Sequence, residues 1–309
     1  MRRSFLLASV TVLALLAVGI AQQRQTLAPE PMKVEKVKDG LYVIRGPFNP
    51  CGTNGCNANN IASDDGLLHE PGDVAVRVTS DGLILIDDKY AVNVPDVLQR
   101  VKSVSTLPIK YLLNTHHHTD HAGGNGLIQD MGIEIIAHRN IRENFLRNKQ
   151  PGPPRITFND QESVFLGSTE VKMYYFGRGH TNGDTVIAFP DVKAIHTGDL
   201  IIDGMPVIDY NNGGSALEFP KTLKKILDLD FDTAIPGHGR VLTRQDVIDY
   251  IPKVEKMNER MKELVRRGVP KDQLEKQLKL DDLGWDHTVS TSTFMRSIGQ
   301  YFDEVAAAR

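Results

Sequence analysis

The chain has 309 residues, 40% of them hydrophobic, and a formal net charge of −3. That is enough apolar material for a sizeable core. The mild acidity argues against a partner bound through a basic face, nucleic acid above all.

The first residues, MRRSFLLASVTVLALLAVGIAQQ, place Arg2 and Arg3 before an apolar run from Phe5 to Val18 and then Gly19-Ile20-Ala21. A basic start, a short apolar stretch and small residues is the order of a secretory signal peptide, residues 1–21, cut after Ala21. The run is short for a membrane span and no basic stop-transfer cluster follows, so no stable membrane insertion is expected after cleavage. Cleavage removes two arginines and takes the formal charge from −3 to −5. The mature protein is expected in the periplasm or outside the cell.

VEKVKDGLYVIRG then predicts a strand or hairpin. Residues 47–72 are rich in Gly, Asn, Pro and Asp and break every periodicity, which predicts a long loop of the kind that binds or covers a site. It carries the only two cysteines, Cys51 and Cys56, which in an oxidising compartment predict a short-loop disulfide. DVAVRVTSDGLILIDD reads as two strands about Ser80-Asp81-Gly82, and VPDVLQRVKSV as an amphipathic helix. IKYLLNT predicts a buried strand. A helix follows near residues 124–131, then strand GIEIIAH and helix RNIRENFLRN. RITFND, SVFLGSTEVKMYYFG and DTVIAFPDVKAIHTGD continue as strands. ALEFPKTLKKILDL predicts a helix, DTAIPGHG a short strand, and residues 244–309 a helical extension whose charged stretch KVEKMNERMKELVRRG is amphipathic. Strands alternating with helices define an α/β class.

The buried strand IKYLLNT leads directly into THHHTDHAGG. His116, His118, Asp120 and His121 there form a metal-ligand pattern. An i, i+2 histidine pair leaving an extended segment aims both rings to one side, so the cluster is expected in a strand end and loop. Imidazole with carboxylate suits zinc, with iron or manganese behind it. His117, between the ligands, is expected to point away from them. His196 reads as a packed side chain, His138 and His287 as structural or exposed, and His69 as a loop residue that could line the mouth of the site.

THHHTDHAGG resembles the HxHxDH signature of the metallo-β-lactamase superfamily. GRGHTNGD with His180, AIHTGDL with Asp199 and AIPGHG with His238 follow in that family's order, and LILIDD carries Asp87 where the family has an early structural aspartate. The usual Thr-Gly after it is here Asp88-Lys89. The similarity spans about residues 34–240. It implies a four-layer αβ/βα sandwich over residues 33–243, with the extension packed on the same domain and the site at one edge. It further implies one zinc on His116, His118 and His180, a second on Asp120, His121 and His238, and Asp199 bridging them. A metal-bound hydroxide would then attack, with Asp120 as the catalytic residue that orients it and handles its proton.

The same resemblance narrows the substrate to a small molecule with an activated carbonyl: an ester, lactone, thioester or cyclic amide. β-Lactamases of one subclass place a cysteine where this chain has Asp199 and a lysine where it has Ile202, so β-lactam hydrolysis is the alternative. A phosphodiesterase, or a mononuclear iron dioxygenase, is the further alternative. Asn211 and Asn212, in DYNNGGSALEF, are expected to face the substrate, and Ser215 to cap the following helix.

Overall fold

A computed structural model of the chain describes residues 32–46, 71–285 and 291–308. The signal peptide, Cys51, Cys56, His69 and His287 lie outside the described residues.

Seven strands form a first sheet in chain order: β1 (Lys33–Lys38), β2 (Leu41–Arg45), β3 (Val74–Val78), β4 (Leu83–Ile86), β5 (Ile109–Leu113), β6 (Glu134–His138) and β7 (Ile156–Phe158). Strands β1 to β4 pair antiparallel, while β4 to β7 are parallel. Parallel neighbours need crossovers, and helices supply them. These are α1 (Val94–Val104), the one-turn α2 (Thr119–Ala122), α3 (Asn125–Asp130) and α4 (Arg139–Arg147).

The second sheet holds β8 (Gln161–Leu166), β9 (Thr169–Tyr175), β10 (Thr185–Phe189), β11 (Ala194–His196), β12 (Thr233–Ile235) and β13 (Leu242–Thr243), in the order β13-β12-β11-β10-β9-β8. Only β11 and β12 are parallel, and α5 (Phe219–Ile226) lies in the connection between them.

Three apolar layers explain the strand patterns. The inner faces of the two sheets meet through Leu41, Ile84, Ile86 and Leu113 on one side and Met173, Ile187, Phe189 and Ile235 on the other. The outer face of the first sheet packs Val76, Leu83, Leu85 and Leu112 under Val94, Val97 and Val101 of α1 and Ile128 of α3. The outer face of the second is covered by α5 and by α6 (Arg244–Arg266), through Phe219, Leu223, Val247 and Val254. β4 is therefore buried on both faces and reads as the unbroken apolar run LILI. Each such side chain removed from water contributes roughly 1.5–3 kcal/mol. The result is the αβ/βα sandwich.

Thr243 starts α6 with a capping box: its hydroxyl accepts from the Asp246 amide at 3.2 Å, and the Asp246 carboxylate accepts from the Thr243 amide at 2.7 Å. After α6 come the short α7 (Leu274–Gln277) and α8 (Thr291–Ala307), and α8 packs back on α6. Among the described residues no helix is long and apolar enough to cross a membrane.

Candidate metal centre

The carboxyl ends of β4, β5, β11 and β12 lie at one edge of the sandwich, where α/β sheets place their ligands. Asp87 follows β4; His116 and His118 follow β5; Asp199 lies three residues beyond β11, and His238 three beyond β12. His180 comes from the turn between β9 and β10. Asp120 and His121 sit in helix α2 rather than in a loop. The carbonyl of His118 accepts from the amides of His121 and Ala122 at 3.0 and 2.8 Å, so the chain turns helical at once after the histidine run.

Among the described residues ligand-type atoms gather in three groups: one, His117 and His118 with Asp209, lies to the side, and the two that make the centre are His116, His118, His180 with Asp199, and Asp120, His121 with His238. Asp199 faces both. Its Oδ2 is 3.6 Å from His180 Nε2 and 3.9 Å from His116 Nε2, and its Oδ1 is 3.1 Å from His121 Nε2 and 3.5 Å from His238 Nε2.

Hydrogen bonds on the far side of each ring decide which nitrogen is left inward. The Asp87 carboxylate accepts from the Thr115 amide at 2.8 Å and from its hydroxyl at 2.6 Å. With its proton so engaged, Thr115 Oγ1 accepts from His116 Nδ1 at 3.0 Å. His180 Nδ1 donates to the Val207 carbonyl at 2.8 Å, His118 Nε2 to Asp209 Oδ2 at 2.8 Å, and His121 Nδ1 to Asp87 Oδ2 at 2.9 Å. Lone pairs therefore point inward. His180 Nε2 lies 2.8 Å from His118 Nδ1, and His121 Nε2 lies 3.2 Å from His238 Nε2. Among the described residues the buried His116 Nε2 and Asp199 Oδ1 have no hydrogen-bond partner. Facing lone pairs at such distances repel unless positive charge lies between them, and a borderline-soft divalent cation such as zinc suits this imidazole–carboxylate set.

The two groups differ in charge. Burial holds His116 well below the ordinary histidine range and takes His180 down to about 4. His121 and His238 are just as buried, but Asp199 and Asp120 outweigh the desolvation: without a cation they draw a proton onto the inward nitrogens, holding His121 well above its usual value and pushing His238 up to about 10, and that proton stands where a metal would take the lone pairs. Burial alone would raise the Asp120 and Asp199 carboxyls, yet the neighbouring His121 and His238 hold both below the usual carboxylate range. Gly237 permits the closest approach: a Cβ there would stand 1.8 Å from Asp199 Oδ1.

The remaining predicted residues fall behind the centre. His117 is fully buried, accepts from Asn144 Nδ2 at 3.2 Å, and has its Nε2 3.9 Å from Asp209. His196 is bonded within the fold, Nε2 to the Asp73 carbonyl at 3.1 Å. His138 caps α4, donates to the Asn159 carbonyl at 2.7 Å and stacks on Tyr175. Ser215 Oγ accepts from the Glu218 amide at 3.0 Å, a local cap ahead of α5. Asn212 departs from its expected place at the substrate: it is buried, its amide nitrogen donates to Asp209, and its oxygen accepts from Arg147 at 2.7 Å and Asn148 at 3.2 Å. Asn211 is exposed and its oxygen accepts from Gln300 at 2.9 Å. Asp209 carries no prediction from the sequence, because a single acidic residue at the head of a polar loop has no distinguishing spacing.

Fold and centre together define a metal-dependent hydrolase. Residues 74–238, more than half of the chain, match the family model of the metallo-beta-lactamase superfamily, and the chain belongs to that superfamily. It is 28% identical over 200 residues to the "Metallo-beta-lactamase type 2" of Elizabethkingia meningoseptica, covering 62% of this chain and 71% of that one. It is 25% identical over 142 residues to the "2,4-dinitroanisole O-demethylase subunit alpha" of Nocardioides sp. (strain JS1661), covering 45% of this chain and 43% of that one. Among solved structures, the mono-zinc form of the metallo-beta-lactamase FIM-1 from Pseudomonas aeruginosa superposes with a TM-score of 0.61 at 17% identity, over 75% of this chain and 98% of that one, a likeness of fold.

Proposed function

We propose that the chain is an exported hydrolase that holds one zinc ion on His116, His118 and His180 and a second on Asp120, His121 and His238, with Asp199 between them, and that it cleaves an activated carbonyl in a small molecule. Ester, lactone, thioester and cyclic amide make up the substrate class. The observation that carries the assignment is the convergence of inward lone pairs on four histidines whose outer nitrogens are all tied down, with a buried carboxylate facing both groups. Export rests on the leader-like residues 1–21.

Bound there, two zinc ions would supply a water acidified towards neutrality and Lewis-acid polarisation of the substrate oxygen. The protein's own residues supply the rest. His118, Asp120 and His238 keep 17%, 15% and 11% of their side chains exposed, whereas His116 and His121 are sealed, so substrate meets the centre over that edge. Asp120 Oδ2 lies 3.3 Å from His238 Nε2 at the exposed edge, which places an acceptor carboxylate to orient the attacking water and handle its proton. The outer hydrogen bonds fix the rings so that no reorganisation is needed during reaction.

β-Lactam hydrolysis is the second reading, favoured by the likeness to the Elizabethkingia protein. Ile202, three residues after Asp199, is buried and apolar and offers no cation to a substrate carboxylate, so the broader carbonyl class ranks first. The test is metal analysis with a hydrolysis screen of the zinc-loaded mature protein against β-lactams, lactones, esters, thioesters and phosphodiesters. Two zinc ions per chain, and an Asp120→Asn variant at least a hundredfold slower on the substrates turned over, are expected. One iron with oxygen uptake would overturn the assignment, and an undiminished variant would overturn the role of Asp120.

A further inference from the structure

Lys89 stands where the superfamily's sequence pattern has glycine, and its environment is unusual for lysine. Its side chain is fully buried, 0% exposed, and its backbone is left-handed at φ 65°, a conformation that suits glycine and strains other residues. Something in the fold must hold it there.

Its backbone and its side chain both reach the surroundings of His121. The Lys89 amide donates to the His121 carbonyl at 3.1 Å, beside the Asp88 amide at 2.7 Å, and the Lys89 carbonyl accepts from the Gly124 amide at 3.1 Å. The side chain then crosses to the segment at residues 71–73, where Nζ donates to the carbonyls of Gly72 at 2.6 Å and Pro71 at 3.2 Å. That segment lies flat on the ligand ring: a Cβ on Gly72 would stand 2.1 Å from His121 Cε1. It is also tied across the centre, through the Gly72 amide to the Asp120 carbonyl at 3.1 Å and the Asp73 amide to the Gly237 carbonyl at 2.7 Å. Asp87 fixes the ring's edge through Nδ1, and Gly72 bounds its face.

We infer that Lys89 is a positioning residue for the second metal site, clamping Pro71–Gly72 against the His121 ring so that Nε2 stays aimed at Asp199 and His238. The inference rests on the two-metal assignment. A buried lysine head held by two backbone carbonyls is fixed in place, and outer partners of this kind change metal affinity by roughly 10–100-fold when removed. Lys89→Gly separates the side chain from the strain, because glycine accepts the left-handed backbone while the clamp is lost.

The experiment measures zinc affinity by chelator competition, with the melting temperature of the metal-free protein alongside. In a His180→Ala background, which disables the first site, Lys89→Gly is expected to weaken the remaining zinc at least tenfold. In a His238→Ala background, which disables the second site, it is expected to change affinity less than threefold. Gly72→Ala, which keeps Lys89 but pushes a methyl group at the ring, is expected to follow the same pattern and answers the question if Lys89→Gly fails to fold. Unchanged affinity in the His180→Ala background, or equal losses in both, overturns the clamp. Wild-type protein that binds no second zinc overturns the two-metal centre and the clamp with it, a result distinct from two sites that are indifferent to Lys89.

Discussion

The two halves of the centre are built from similar ligands but supported differently. The half with His121 leans on Asp87, a fully buried residue at the end of a core strand, and on backbone tied within residues 71–73. The half with His118 and His180 leans on a loop. Asp209 orients His118, the Asp209 amide donates to the His180 carbonyl at 2.8 Å, and the Gly214 amide donates to the Asp209 carbonyl at 2.8 Å. That loop is in turn held by α8, far along the chain and outside the matched residues 74–238. His116 in that half is still tied to Asp87 through Thr115, so the core reaches both halves, but two of the three histidines depend on elements packed on the sandwich later in the chain.

The largest expected effect tests the core-supported half. Asp87→Ala leaves three buried donors, the Thr115 amide and hydroxyl and His121 Nδ1, without their acceptor. At about 1–3 kcal/mol for each unsatisfied group, metal-free protein should lose at least 3 kcal/mol in urea unfolding. A loss below about 1 kcal/mol would show that Asp87 does not carry that half. Asp209→Asn comes next. It preserves size but removes the charge that accepts from His118, and it should weaken zinc on the three-histidine site roughly 10–100-fold while sparing the other. Zinc competition in a His238→Ala background checks this, and an unchanged affinity there would remove Asp209 from the support of His118.

Much of this was legible in the sequence for a physical reason. Ligands at strand ends follow buried apolar runs, so YLL before His116 locates the histidine cluster by pattern, whereas Asp87 after LILI comes from the resemblance. The sandwich follows from the alternation of strands and helices together with the ordered motifs. What escaped depends on tertiary contact. Asp209 and Asn212 lie in a Gly- and Asn-rich turn with no periodicity, and their orientation comes from bonds to Arg147, Asn148 and His118 that span 64 or more positions. Asn212 was therefore expected outward at the substrate, although its buried amide braces Asp209. The helical turn α2 was hidden because four residues carry too little pattern to separate a turn of helix from a loop.

The smallest expected effect probes how far support for the loop reaches. Glu304 of α8 accepts from the Ser215 hydroxyl and from the Ala216 amide at 3.1 Å, while Asn258 of α6 donates to the Ala216 carbonyl at 2.7 Å and accepts from Tyr301 of α8. The loop thus has a second anchor that survives loss of the first. Glu304→Ala should cost about 1–2 kcal/mol of stability, and because it touches no ligand it should weaken the three-histidine site by less than Asp209→Asn does. Zinc competition on Glu304→Ala, Asp209→Asn and the double variant, each in the His238→Ala background, decides the matter. If Glu304 acts through the loop, the double variant should bind no more weakly than Asp209→Asn alone, since the path from α8 to His118 is already cut. Fully additive losses would mean that α8 reaches the centre by another route, and the contrast between a core-held half and a loop-held half would have to be redrawn.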